Sequence, residues 1–199
     1  MRVNDEIIAD MNQSTNSKQV CFLEFDFVDE KNFTDLLVVF EKIKNAKNNN
    51  LPQNYIFWGN NFPDYSLKHF YFPEASLNPA FKTLPEYEYS YNFYELITLL
   101  QSTCEIEYKD CFKLENNKGR IEYFIFGYPY GGITALMYFA KSFNCITTII
   151  NDGTGKYKIE FLENSAFNKI DLTERVTTIK EKEENESLLT VFFKLFKGS

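Results

Sequence analysis

Gln19-Val20-Cys21-Phe22-Leu23-Glu24-Phe25-Asp26-Phe27-Val28 is the stretch from which the fold is read. A two-residue period puts Cys21, Leu23, Phe25 and Phe27 on one face and Phe22, Glu24 and Asp26 on the other, the pattern of a half-buried β-strand. Residues 32–46 follow with Phe33, Leu36, Leu37, Phe40 and Ile43 at helical spacing. Lys42, Lys44 and Lys47 crowd the far end of that helix, where cations suit its dipole. Asn48-Asn49-Asn50-Leu51-Pro52 stops it. Asn54-Tyr55-Ile56-Phe57-Trp58-Gly59 then reads as a second strand, so the opening is β-α-β and favours a right-handed crossover to a parallel neighbour.

Outward from this unit, residues 1–18 form a polar N-terminal segment. A short helix over 4–12 docks there through Ile7, Ile8 and Met11, and a Ser/Thr/Asn linker follows. Residues 60–90 are irregular and punctuated by prolines, with a short strand at 67–72. Asn92-x-x-Glu95 is a capping box before Phe93, Leu96, Ile97 and Leu100, which make a second helix. In residues 104–114, Ile106, Tyr108, Phe112 and Leu114 alternate with Glu105, Glu107, Lys109 and Lys113. Asn116-Asn117-Lys118-Gly119 turns this strand into 120–127, completing a β-hairpin. Cys104 and Cys111, seven apart on one predicted strand, face opposite sides and share neither a metal nor a bridge.

A third helix carries Ile133, Leu136, Met137, Ala140 and Phe143, followed by a strand at 145–150. Asn151-Asp152-Gly153-Thr154-Gly155 turns into a further strand over 156–162, residues 172–179 add another, and Leu188 to Phe196 make a C-terminal amphipathic helix. The fold class is α/β in the α+β sense. Residues 19–199 form a single layered domain, with a mixed sheet of about six or seven strands and about four helices packed on it.

The composition narrows the function classes. The chain has 199 residues, 44% hydrophobic and 18% aromatic, with 28 acidic against 21 basic side chains and a formal net charge of −7. That is enough apolar material for one core. The acidic balance argues against a nucleic-acid partner, which needs a basic stripe, and against an anionic membrane surface. No apolar run reaches membrane-helix length, and the N-terminus lacks the pattern of a signal peptide, so the expected location is cytoplasmic with the four cysteines reduced and buried. Abundant Lys and Asn point to a bacterial source with AT-rich coding.

Three features carry candidate chemistry. Gly127-Tyr128-Pro129-Tyr130-Gly131-Gly132 lies between a strand and a helix, where free amides hold anions. It matches neither G-x-G-x-x-G nor a P-loop. A sharp turn with close helix packing explains its glycines, and a ligand loop using Tyr128 and Tyr130 is the functional alternative. Glu24 with Asp26, and Glu105 with Glu107, are carboxylate pairs two residues apart on strands; the first, in a strongly apolar strand, requires a cation or water. In Pro85-Glu86-Tyr87-Glu88-Tyr89-Ser90-Tyr91, the tyrosines Tyr87, Tyr89 and Tyr91 share one extended face and Glu86 and Glu88 the other. Tyrosine is enriched at interface hot spots, and flanking acids steer basic partners. His69 is the sole histidine, sits among aromatics, and has no nucleophile motif beside it. No catalytic set, cofactor or metal site is expected.

Small, acidic, aromatic-rich α/β chains of this kind resemble bacterial immunity proteins, which neutralise toxins by covering them. The resemblance is one of general character and transfers no residues. It implies a protein-binding module, not an enzyme, that masks a basic protein partner encoded nearby. The docking face would be Tyr87, Tyr89, Tyr91, Glu86, Glu88, Glu24, Asp26, Glu105 and Glu107. Two alternatives stand beside it. One is a small-molecule or anion-binding domain or enzyme using Gly127, Tyr128, Tyr130, Gly131 and Gly132, which requires a pocket near the start of the third helix and a perturbed titratable group within reach. The other is a structural or homo-oligomeric assembly module.

Overall fold

The computed structural model describes residues 19–72, 91–127, 132–162 and 166–172. Strand β1 (Val20–Asp26) buries Cys21, Leu23 and Phe25 on one face, as its alternation requires. Helix α1 (Glu30–Asn48) starts at Asp29, whose carboxylate accepts the Lys31 amide at 2.8 Å, and places Glu30 in its first turn and Lys47 in its last. Its buried stripe is Phe33, Leu36, Val39, Phe40, Ile43 and Ala46, with Leu37 half-buried beside it.

Residues 54–59 are not a strand. Helix α2 (Tyr55–Asn61) occupies that stretch, capped by the Asn54 side chain, which accepts the Phe57 amide at 2.8 Å. Tyr, Ile, Phe and Trp favour strands in isolation, but burial is decided by tertiary partners. Here Trp58 and Phe62, four apart, fall on one helical face and are both buried, while Tyr55 and Ile56 are turned outward. β1 therefore has no parallel neighbour, and the β-α-β opening does not form.

After α2 come a single-turn helix α3 (Asp64–Leu67), β2 (Phe70–Tyr71), β3 (Tyr91–Asn92) and α4 (Phe93–Thr98). Asn92 caps α4 by accepting the amides of Tyr94 and Glu95, as the capping signal predicts. A π-helical turn, Leu99–Thr103, extends α4 and swings Gln101 inward. The Gln101 carboxamide oxygen accepts both the Trp58 indole N–H and the Gln53 amide at 2.9 Å, and its NH₂ donates to the Gln53 carbonyl at 2.9 Å. This one side chain ties the segment before α2 to the end of α4. Around Phe62, the rings of Phe70, Phe93, Phe139 and Phe143 lie 5.3 to 6.2 Å away, mostly edge-on, joining the helices in one aromatic cluster.

The hairpin β4 (Ile106–Lys113) and β5 (Lys118–Ile125), helix α5 (Gly132–Ser142), and strands β6 (Ile146–Asn151), β7 (Lys156–Phe161) and β8 (Phe167–Asp171) complete the described chain. The six-stranded sheet runs β4-β5-β1-β6-β7-β8 with every pairing antiparallel, and β2-β3 form a parallel pair. The layered α+β class stands, but the crossover lies elsewhere: β5 and β6 both run antiparallel to β1 and so parallel to each other, and α5 connects them across β1, while β4–β5, β6–β7 and β7–β8 are sequential antiparallel pairs.

The predicted phase of β4 holds only for its first half. A bulge between Tyr108 and Asp110 inserts a residue, so Cys111 returns to the buried face with Tyr108 and Phe112 moves to the other. Cys104, just ahead of the strand, is also buried; the two cysteines are not on opposite sides. β8 lies just before the strand expected at 172–179. The short N-terminal helix, the strand beyond residue 172 and the C-terminal helix lie outside the described residues.

The last two residues of α1 clamp this hairpin edge. The Lys47 ammonium donates to the carbonyls of Ser102 (2.9 Å) and Cys104 (2.5 Å). The Asn48 carboxamide donates to the Tyr108 carbonyl at 2.7 Å and accepts the Tyr108 amide at 3.2 Å, pairing with the edge of β4 as a neighbouring strand would.

Candidate functional site

The side chains of the β6–β8 end of the sheet outrun the cover of α5, and a cavity of about 540 Å³ opens there. Three apolar sources wall it. Ile125 ends β5 and Gly127 lies two residues beyond it, Ile133 and Met137 lie one helical turn apart on α5, and Ile150 and Phe167 come from β6 and β8. Phe167 and Lys169 are two apart on β8 and so share its inner face, opposite Phe161 and Ile159 of β7.

Polar groups gather at one end. Asp152 follows β6 in a tight turn where Gly153 has φ +85°, a backbone region natural to glycine. The Asp152 Oδ1 accepts the Thr154 amide at 3.0 Å and the Thr154 hydroxyl at 2.6 Å, and its Oδ2 accepts the Lys169 ammonium at 2.6 Å. Lys169 also lies 3.7 Å from the centre of the Tyr157 ring, and Thr154 Oγ1 is 3.1 Å from the Tyr157 hydroxyl. Burial pushes the Asp152 carboxyl up, but hydrogen bonds from Lys169 and Thr154 outweigh it and hold the group below the usual carboxylate range. A concave pocket at the start of the third predicted helix with a perturbed carboxyl inside it is what the ligand alternative requires.

The expected site residues are distributed as follows. Gly127 lines the cavity, and a Cβ there would collide with the Glu105 carboxylate, 1.8 Å from its Oε2. Gly132 instead packs on Cys104, whose Cβ would be 2.5 Å from any side chain added. This is the close helix packing read from the sequence. Tyr128, Tyr130 and Gly131 lie outside the described residues, as do Glu86, Tyr87, Glu88 and Tyr89. Tyr91 is half-buried on β3 with its ring 5.2 Å from Tyr138, and burial raises its hydroxyl pKa.

The strand carboxylates do not stand as bare anions. Glu24 faces Arg120 directly across the β1–β5 ladder and is ion-paired with it, and Asp26 faces Lys118 at 2.7 Å. Arg120 lies 3.6 Å from Glu122, which takes Lys109 at 2.7 Å, and the Arg120 guanidinium sits over the Phe22 ring at 4.4 Å. The cation that Glu24 needs comes from the neighbouring strand. Glu107 occupies the same outer face opposite Phe124. Glu105, ahead of β4, lies beside Gly127.

The four cysteines and His69 are poorly placed to act as nucleophile or base. Burial raises the thiol pKa values of Cys21, Cys104, Cys111 and Cys145, that of Cys145 to about 12, which suppresses the reactive thiolate. His69 is partly buried, and that burial together with nearby Lys141 lowers its pKa. Among the described residues no group of three His, Cys, Asp or Glu could hold a metal, and no helix is long and apolar enough to cross a membrane.

Sequence reasoning missed Asp152, Thr154, Met137, Phe167 and Lys169 as site residues. Asn151 to Gly155 was legible as a turn and Met137 as core. The only signal for β8 was the short alternation Phe167-Asn168-Lys169-Ile170-Asp171, in which neither face is consistently apolar. Comparison with protein-family models, with curated proteins and with solved structures found no match.

Proposed function

We propose that this protein is a binding module whose site is the cavity between the start of α5 and strands β6–β8, and that its ligand is a small, largely apolar molecule. The observation that carries this reading is the cavity itself. About 540 Å³ of mostly apolar space with a single cluster of polar groups has the size and character of a small-molecule site. A neutral apolar dye, N-phenyl-1-naphthylamine, tests it. The expected result is saturable fluorescence enhancement at one equivalent, abolished by Thr134→Trp, which fills the cavity from a half-buried wall position. No saturable binding, or equal binding to the variant, would overturn the reading.

A second reading keeps the partner-masking role but moves its surface. Leu51, Tyr55 and Ile56 are 62%, 38% and 54% exposed around the start of α2, and Tyr55 walls a groove of about 440 Å³ that also holds Glu95. Exposed apolar anchors beside an acid suit a basic protein partner, a chemistry in keeping with the net charge of −7. Co-purification with a basic product of a neighbouring gene, weakened by salt and abolished by Ile56→Asp, is the expected outcome. Binding unaffected by Ile56→Asp would remove this surface from consideration.

A further inference from the structure

We propose that the ligand of the cavity is an apolar carboxylic acid whose carboxylate is received by Lys169, an inference that rests on the cavity being the ligand site. The argument is an accounting of donors and acceptors at the polar end. Both oxygens of Asp152 are engaged, one by the Thr154 amide and hydroxyl and the other by Lys169, so this carboxylate has little left to offer a ligand. Lys169 carries three N–H donors; Asp152 takes one of them and the Tyr157 ring lies against the ammonium at 3.7 Å, which leaves an N–H for a ligand. Its side chain is 38% exposed, and it is the only cationic side chain among the described residues that line the cavity. Thr134 on α5 adds a hydroxyl to the cavity lining.

The polar end therefore has donors to give and few acceptors, and the other walls are hydrocarbon. The complementary molecule has an apolar body and an oxygen acceptor. A carboxylate forms the stronger, charge-assisted bond to an ammonium. A cationic ligand would meet Lys169 while finding Asp152 already neutralised. Asp152 itself opposes a bound anion, because it holds the same ammonium and repels a second carboxylate. The two members of the ion pair should thus act on the ligand in opposite directions, which a purely structural pair would not do.

Titration calorimetry of the full chain with octanoate, 1-octanol and octylamine, which share one apolar body, tests this. Octanoate is expected to bind about tenfold more tightly than octanol, the worth of one charge-assisted hydrogen bond, and octylamine most weakly. Lys169→Met should remove that tenfold advantage while leaving octanol affinity within about twofold. Asp152→Asn, which keeps an acceptor for Thr154, should strengthen octanoate binding. Thr134→Trp should abolish binding of all three. Equal affinity for octanoate and octanol with both blocked by Thr134→Trp would overturn the carboxylate assignment and leave the cavity reading intact. So would weakened octanoate binding in Asp152→Asn. Binding of none of the three probes, or binding indifferent to Thr134→Trp, would overturn both.

Discussion

Replacing Gln101 by Met should loosen the whole front of the helical layer. Gln101 is 8% exposed and Trp58 is fully buried, so the indole N–H has no water to turn to when its acceptor is removed. Methionine matches glutamine in length, so the cavity contribution is small and the main cost is an orphaned buried donor, about 1–3 kcal/mol. The Gln53 amide and carbonyl lose the same partner but belong to an exposed residue and can be hydrated. Gln101→Ala adds a void and should cost about 1 kcal/mol more. Trp58 is the only tryptophan, so its fluorescence reports on this contact alone, and urea unfolding followed by both fluorescence and far-ultraviolet circular dichroism measures the loss. In a Trp58→Phe background the donor is gone, and Gln101→Met should then cost about 1 kcal/mol less than in the parent. Equal costs in the two backgrounds, or an unchanged urea midpoint for Gln101→Met, would refute the role given to this bond.

Two further outcomes follow from the geometry. Gly132→Val places a Cβ 2.5 Å from that of Cys104 and should destabilise by about 1–3 kcal/mol, visible as a lowered melting temperature, whereas the same change at Gly59, which has open space around it and lies in a helix where valine is the better former of the two, should leave the melting temperature unchanged or slightly raised. The Asp152 carboxyl titrates lower in the folded protein than in the unfolded chain, so its contribution is fully present above the ordinary carboxylate range and is lost as the pH falls through and below it. Asp152→Asn should flatten that acid limb of stability in melts recorded between neutral and strongly acidic pH; an unchanged acid limb would contradict the assignment.

What could be read in advance divides along physical lines. β1, α1, α4 with its Asn92 cap, the β4–β5 hairpin, α5, β6 and β7 all declare themselves through local periodicity or capping, because their buried faces are continuous over several residues. α2 does not, since its helical identity depends on Gln101, some forty residues later, receiving Trp58. The phase of β4 is hidden by a bulge that leaves no mark in composition. A pocket near the start of α5 is an expectation of the ligand alternative, and Gly127 and Ile133 do line the cavity, but most of the glycine loop lies outside the described residues. The polar end of the cavity was not legible, because Asp152 and Lys169 are brought together across β7 by strand pairing, and each alone looks like an ordinary surface charge.

The clamp at the end of α1 turns helix length into a measured quantity. Each residue added to or removed from the helix rotates everything beyond it by about 100° and moves it by about 1.5 Å along the axis. A single insertion anywhere between the Asp29 cap and Lys47, even at an exposed position, would swing Asn48 away from Tyr108 and bare one donor and one acceptor on the flank of the sheet. A change of length in this part of the chain should be borne best between Asn49 and Pro52, ahead of the Gln53 backbone that Gln101 holds and beyond the residues that the hairpin depends on.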